Sequence, residues 1–260
     1  MAEGTSLKQT AEMVKVRARR RRRAAYTISV VLALGLVLAA GYQFWLRDLS
    51  LFEIRDLNVQ GVTTGSREGD EITAAVERAA GQMTTLHLDP DLLAGELAGF
   101  PRVESAKIDA DFPNAATATV RLKSDGSVLG SGRDALLVAT DGTVLGQAGE
   151  AEDELPAIAD GERPDGDRLE GPALAQALVL GAAPDEIRSF VDRSKFGGNG
   201  VEVTLSNGLV LVFGDATAID QKWRAAASVI ADPELGGASY VDLSVPRRPA
   251  VGTGDDLGGG

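Results

Sequence analysis

The chain has 260 residues, 44% of them hydrophobic and 25% charged, with 38 acidic side chains against 26 basic ones. That length allows one large domain or two small ones, and the apolar fraction suits a folded protein. Cysteine is absent and His87 is the single histidine, so disulfides, thiolate metal sites, cysteine nucleophiles and paired-histidine metal sites are excluded. The net charge of −12 argues against a chain that wraps nucleic acid over most of its surface.

The charge is unevenly spread. Residues 1–23 hold eight Lys or Arg and two Glu, so this stretch carries +6 and the remainder −18. From Ala24 to Leu46 run 23 uncharged residues, and as a helix they would span roughly 34 Å, enough for a hydrocarbon core of about 30 Å. Tyr26 lies near one end and Tyr42, Phe44 and Trp45 near the other, the placement of interfacial aromatic belts. Arg19, Arg20, Arg21, Arg22 and Arg23 abut the stretch on one side only, and the positive-inside rule puts them in the cytoplasm. The expectation is a cytoplasmic basic tail (1–23) in contact with lipid headgroups, and a transmembrane helix (24–46). The protein is then single-pass in the plasma membrane, with everything after Arg47 outside. A cleaved signal peptide, cut near Ala39 and Gly41, is the alternative.

Phe52, Ile54, Leu57 and Val59 read as a strand whose alternation changes phase between Ile54 and Leu57, ending at Gly61. Ile72, Ala75, Val76 and Ala79 recur at helical spacing before Gly81. A second helix has Asp89 as N-cap, Pro90 in its first turn, Leu92, Leu93 and Leu97 as its apolar stripe, and Gly99 and Pro101 as its stop. Ala106 and Ile108 mark one further strand, Ala118, Val120 and Leu122 another, with Phe112-Pro113-Asn114 as the turn between them. The order is β-α-α-β-β.

Three runs in this stretch, LNVQG (Leu57–Gly61), FPRVESAKI (Phe100–Ile108) and DFPNAATATVRL (Asp111–Leu122), resemble the POTRA domain of bacterial cell-division proteins of the FtsQ/DivIB type. The basic tail and apolar stretch upstream fit the same family. One departure is visible: the family usually ends the third POTRA strand with Glu-Arg, and this chain has Leu122-Lys123. The resemblance implies an α+β chain with a POTRA domain over 52–124 and a mixed, β-rich domain with a few helices over 133–246.

In that second half, Leu136–Ala139, the turn Thr140-Asp141-Gly142 and Thr143–Leu145 signal a hairpin. An acidic Gly- and Pro-rich loop runs from Gln147 to Gly171, with Leu155-Pro156 as a fixed point. Helical patterns cover Pro172–Leu180 and Pro184–Val191. Val201, Val203 and Leu205 alternate, Asn207-Gly208 turns, and Leu209–Phe213 returns as the strongest hairpin signal in the chain. Asp215 is placed to cap a helix through Ala231 that shows Ile219, Trp223, Ala227 and Ile230 on one face. The last strand, Ser239–Pro246, resembles the closing strand of the family's β-domain. Residues 247–260 are too rich in Gly and Asp to bury a core and are expected to be disordered.

No catalytic pattern emerges. Asp89 with Asp91, and Asp109 with Asp111, sit where helix-start and strand-end acids are ordinary. The acidic run Glu150–Glu154 lacks EF-hand spacing, and GSGRD (130–134) and GGNG (197–200) lack the helix context of phosphate loops. His87 has no nucleophile elbow to serve. No enzyme activity, metal, cofactor, small-molecule substrate or nucleic-acid partner is expected.

The resemblance instead implies a scaffold at the division septum, recruiting and regulating septal cell-wall synthesis. Its partners would be single-span coiled-coil proteins of the FtsB/DivIC and FtsL types. The alternative is a POTRA-bearing component of a transport or envelope-assembly complex, for whose C-terminal barrel the chain has no room. The expected partner surface is the edge of the last strand, Tyr240, Val241, Asp242, Leu243, Ser244 and Val245, with Arg247 and Arg248 steering an acidic segment. The family resemblance favours this edge, and Tyr240 offers an aromatic anchor. The competing reading packs Tyr240 in the core and leaves both arginines solvated.

Overall fold

The computed structural model describes residues 31–37, 52–63, 65–232 and 237–253. Over the described residues it is an α+β fold with two sheets, one of three strands and one of nine. The described residues divide into two compact units, the first drawn from 1–60, 73–96 and 107–119, the second from 61–72, 97–106 and 120–260.

The expected membrane span is corrected. Among the described residues no helix is long and apolar enough to cross a membrane. Of the 24–46 stretch only 31–37 is described; it is helical, and seven residues rise about 10 Å, against a hydrocarbon core of about 30 Å. The remainder of that stretch lies outside the described residues, as do Arg19, Arg20, Arg21, Arg22 and Arg23. The single-pass placement in a plasma membrane rested on that helix and is withdrawn with it.

The three-stranded sheet contains β1 (Asp56–Gln60), β2 (Val103–Asp111) and β3 (Ala115–Leu122) in the order β1-β3-β2. β1 runs parallel to β3, with Asp56 opposite Ala115 and Gln60 opposite Thr119. A parallel pair needs a crossover, and here it is made by α1 (Arg67–Ala80) and α2 (Pro90–Leu97). The helical spacing of Ile72, Ala75, Val76 and Ala79 is realised as the buried stripe of α1. Asp89 caps α2, its Oδ1 accepting from the Asp91 and Leu92 amides at 3.1 Å, and Leu93 and Leu97 are buried one turn apart. Ala116, Ala118 and Val120 are buried alternately along β3. The phase change before Leu57 is not a bulge within the strand, because β1 begins only at Asp56 and Glu53 makes an isolated bridge to Thr84.

The nine-stranded sheet has the order β12-β11-β10-β9-β8-β7-β4-β5-β6. Its strands are β4 (Asp125–Leu129), β5 (Leu136–Ala139), β6 (Val144–Gln147), β7 (Ala157–Ile158), β8 (Val191–Gly197), β9 (Gly200–Leu205), β10 (Val210–Gly214), β11 (Tyr240–Asp242) and β12 (Ala250–Gly252). Three helices, α3 (Gly171–Gly181), α4 (Asp185–Arg188) and α5 (Ile219–Ile230), complete this part of the chain. Val138, Ile158, Leu180, Val203, Leu211, Phe213, Trp223 and Val241 belong to one large core cluster. Val128, Ala135, Leu137 and Ala148 form a second, smaller one. Successive side chains of a strand point to opposite faces. The unbroken apolar run Leu136–Ala139 is therefore accounted for: Leu136 and Val138 enter the large cluster and Leu137 the small one.

Two further expectations change. Pro184–Val191 is helical only over Asp185–Arg188, and Val191 opens β8 instead. Residues 250–252, expected to be disordered with the rest of the tail, form a strand.

Candidate interaction surface

The surface anticipated from the sequence is the end of the nine-stranded sheet, and it is built by α5 and the two last strands. The NG turn closes β9 on β10: Gly208 adopts φ +87°, its amide donates to Leu205 O, and Asn207 Oδ1 accepts from the Leu209 amide at 3.0 Å. β10 is then followed by a turn in which Asp215 accepts from Thr217 Oγ1 at 2.7 Å and Lys222 Nζ at 2.8 Å. Asp215 is not the helix N-cap that its position suggests, since α5 starts at Ile219 with Ala218 in a left-handed conformation (φ 48°) as cap. Trp223 is core, 1% exposed, with its indole N–H donating to Val179 O at 2.8 Å.

β11 pairs parallel with β10, Val210 facing Tyr240 and Val212 facing Asp242. The Leu243 amide extends the pairing by donating to Val212 O at 2.8 Å. Val241 and Leu243 are fully buried and belong to the large core, whereas Tyr240 and Asp242 are half-buried. The strand then stops because the Ser244 amide turns to Asp242 Oδ1 at 2.8 Å, an Asx-type turn. A second turn follows, with the Arg248 amide donating to Val245 O at 2.9 Å, and the chain reverses into β12.

The eight anticipated residues are therefore in one place but not equivalent. The outer edge of β11 is not bare: Ala250, Val251 and Gly252 pair with it antiparallel, Gly252 opposite Tyr240 and Ala250 opposite Asp242. Ser244 makes no ladder bond with β10 or β12 through its amide, which is already committed to Asp242. Val245 is 56% exposed, and Arg247 and Arg248 are exposed beside it. Pro246 and Arg247 line a shallow groove with Gln221, Arg224 and Ser228 of α5. In a chain whose body is strongly acidic, this groove presents two guanidinium groups, a local positive field suited to a carboxylate-bearing segment.

Sequence reasoning missed Lys222, which is 1% exposed and holds the Asp215 carboxyl down to about 2, chiefly through its hydrogen bond, with Thr217 adding to the effect. An exposed-looking Lys next to Trp in a helix gave no sign of this. It missed also the partner of Lys123, the departure from the Glu-Arg pattern. Lys123 Nζ lies 3.0 Å from Asp141 Oδ2 and donates to Thr143 Oγ1 at 2.6 Å. Burial pushes the Asp141 carboxyl up, but hydrogen bonds from Lys123 and Thr143 outweigh it and hold the group below its ordinary value.

Elsewhere, a solvent-open cleft of about 960 Å³ follows the 159–168 loop to Phe196. Gln176 fixes the loop's start, its amide donating to Asp160 O at 2.8 Å and its carbonyl accepting from Ser194 Oγ at 2.9 Å. Among the described residues no group of three or more His, Asp or Glu side chains is arranged to hold a metal ion. His87 is exposed, in an isolated bridge with Thr84. No protein-family model matches the chain, and no curated protein matches it.

Proposed function

We propose that this chain is a non-catalytic scaffold of the bacterial division machinery, of the FtsQ/DivIB type. In this reading it recruits and regulates septal cell-wall synthesis by binding coiled-coil partners of the FtsB/DivIC and FtsL types. The observation that carries the reading is the way the large sheet ends. β11 pairs over three residues with β10 and over three with β12, but its Val241 lies in the large core whereas Ala250 and Val251 of β12 are exposed, and the exposed Val245, Arg247 and Arg248 flank it. Such an edge can accept an extended segment of another chain through main-chain hydrogen bonds, while the neighbouring side chains select which segment. The β-α-α-β-β order over 56–122, which carries the sequence resemblance, supports the same reading.

The test is cellular and biochemical together. Depleting the protein should give filamentous, undivided cells, and normal division under full depletion would overturn the proposal. In pull-downs from complemented cells, Tyr240→Ala and the double change Arg247→Glu with Arg248→Glu should leave the protein folded and reduce recovery of the coiled-coil partners. Ser244→Pro is the weaker probe, because the amide it removes bonds Asp242 rather than a neighbouring strand.

A further inference from the structure

The pairing of β12 on β11 raises a question that the partner-edge reading alone leaves open: why the chain covers its own binding edge. Three observations bear on it. The covering strand is three residues long, and its Ala250 is exposed and its Val251 50% exposed, so it buries little apolar surface in return for being ordered. It is tethered by two consecutive turns through Ser244–Pro249, and the side chains of Arg247, Arg248 and Pro249 in that tether are exposed. Its register is nonetheless specific. Gly252 lies against the Tyr240 ring so closely that a Cβ at 252 would run into it, and the Ser239 amide donates to Gly252 O at 2.9 Å.

We propose that Ala250–Gly252 is a displaceable strap, an internal stand-in for the partner strand, which regulates access to the β11 edge. The proposal rests on the partner-edge reading above and adds regulation to it. With the strap seated, the groups of β11 that face outward are paired within the chain. When it lifts, the same groups accept an extended segment from a partner, antiparallel, with a small residue opposite Tyr240. Segments of few buried contacts open at the low end of a protein's local stabilities. A partner that binds only the open form has its apparent affinity reduced by the open fraction. The core residues Val241 and Leu243 need not move, because they are anchored on the β10 side.

The test uses the full chain, a version ending at Pro249, and a double variant with Asp242→Cys and Ala250→Cys. These two positions face each other across the pair, in a chain with no other cysteine. The probe is a fluorescein-labelled peptide of residues 249–256, followed by anisotropy. The shortened chain should bind it saturably, and the full chain at least about tenfold more weakly. The oxidised double variant should not bind it, and reduction should restore binding at least to the full-chain value, since losing the Asp242 carboxylate also frees the Ser244 amide that begins the tether. Equal binding by the full and shortened chains, or none by a shortened chain that keeps its near-ultraviolet dichroism, would overturn the strap.

If the shortened chain unfolds, amide exchange decides. In the intact protein the Ser239 amide should exchange at least about tenfold faster than the Leu243 amide, and Gly252→Val should quicken it further. Equal protection of both amides overturns the proposal. The two readings fail separately. Loss of partner recovery in Tyr240→Ala with no peptide binding keeps the edge and removes the strap. Peptide binding with undiminished partner recovery does the reverse.

Discussion

Trp223 and Lys222 are adjacent in α5 and both buried, yet they act in opposite ways. The Trp223 ring lies 4.8 Å from that of Phe213, and its N–H is satisfied by Val179 O. Truncation to Ala should cost about 3–5 kcal/mol in urea unfolding, the range for deleting a large buried aromatic. Trp223→Phe should cost less, since it keeps most of the packing and loses the donor. Lys222 is a buried cation, tolerated because Asp215 supplies both a carboxylate and a main-chain oxygen at 2.8 and 2.9 Å. The Asp215 carboxyl is lowered from 3.8 to about 2. A depressed folded-state value means that the ion pair stabilises the fold above the unfolded value, and that this contribution is lost as pH falls through the folded one. Asp215→Asn should therefore melt below the wild type at neutral pH, with the gap closing between about pH 4 and pH 2. Thermal melts across that range check the point, and a gap that stays constant down to pH 2 would show that the pair contributes nothing.

At the scale of elements, α2 is the piece most fully written in the sequence: a capping Asp89, Pro90 in the first turn, and two leucines one turn apart. Leu93→Ala in the full chain should cost about 2–5 kcal/mol, measured by chemical denaturation, because Leu93 is 1% exposed. The turn after β1 is equally constrained. Gly61 sits at φ +85°, and a Cβ there would fall on the Val120 carbonyl oxygen. Gly61→Ala should lose about 1–3 kcal/mol from backbone strain alone, before the clash is counted. The elements that the sequence pattern missed share one property: their place is set by neighbours. In β8 only Val191 and Ser194 are buried, so no alternation announces a strand, and its position follows from pairing with β7 and β9. β7 is two residues long, held where Pro156 O accepts from the Val128 amide and Ala157 faces Val128. β12 has the sequence Ala-Val-Gly in a Gly-rich tail, and only the free edge of β11 gives it a partner. The candidate site was legible to the same extent. Of the strand expected over Ser239–Pro246 only Tyr240–Asp242 forms, because turns at Ser244 and Arg248 end it. The cover on its edge gave no sign, because it is a long-range pairing with a weak local signal.

For the whole molecule, the distribution of charge is the property that bears most directly on association. Outside residues 1–23 the chain carries −18, so an acidic partner meets general repulsion. The groove beside β11 is a local exception, with Arg224 and Arg247 along it and Arg248 exposed next in sequence. If this exception steers a carboxylate-bearing partner segment to the sheet edge, its effect belongs mainly to the association rate, since exposed rim charges guide encounter more than they hold a complex. If the proposed coiled-coil partners bind here, the double variant Arg247→Glu with Arg248→Glu should slow their association by about tenfold or more at low salt, with a smaller effect on dissociation. Salt provides the control. At 1 M ionic strength the screening length falls to about 3 Å, so wild type and variant should then associate at similar rates. Stopped-flow or surface-binding kinetics at low and high salt measure both quantities. Equal association rates at low salt would remove the arginines from the recognition surface and leave the main-chain edge of β11 to account for binding by itself.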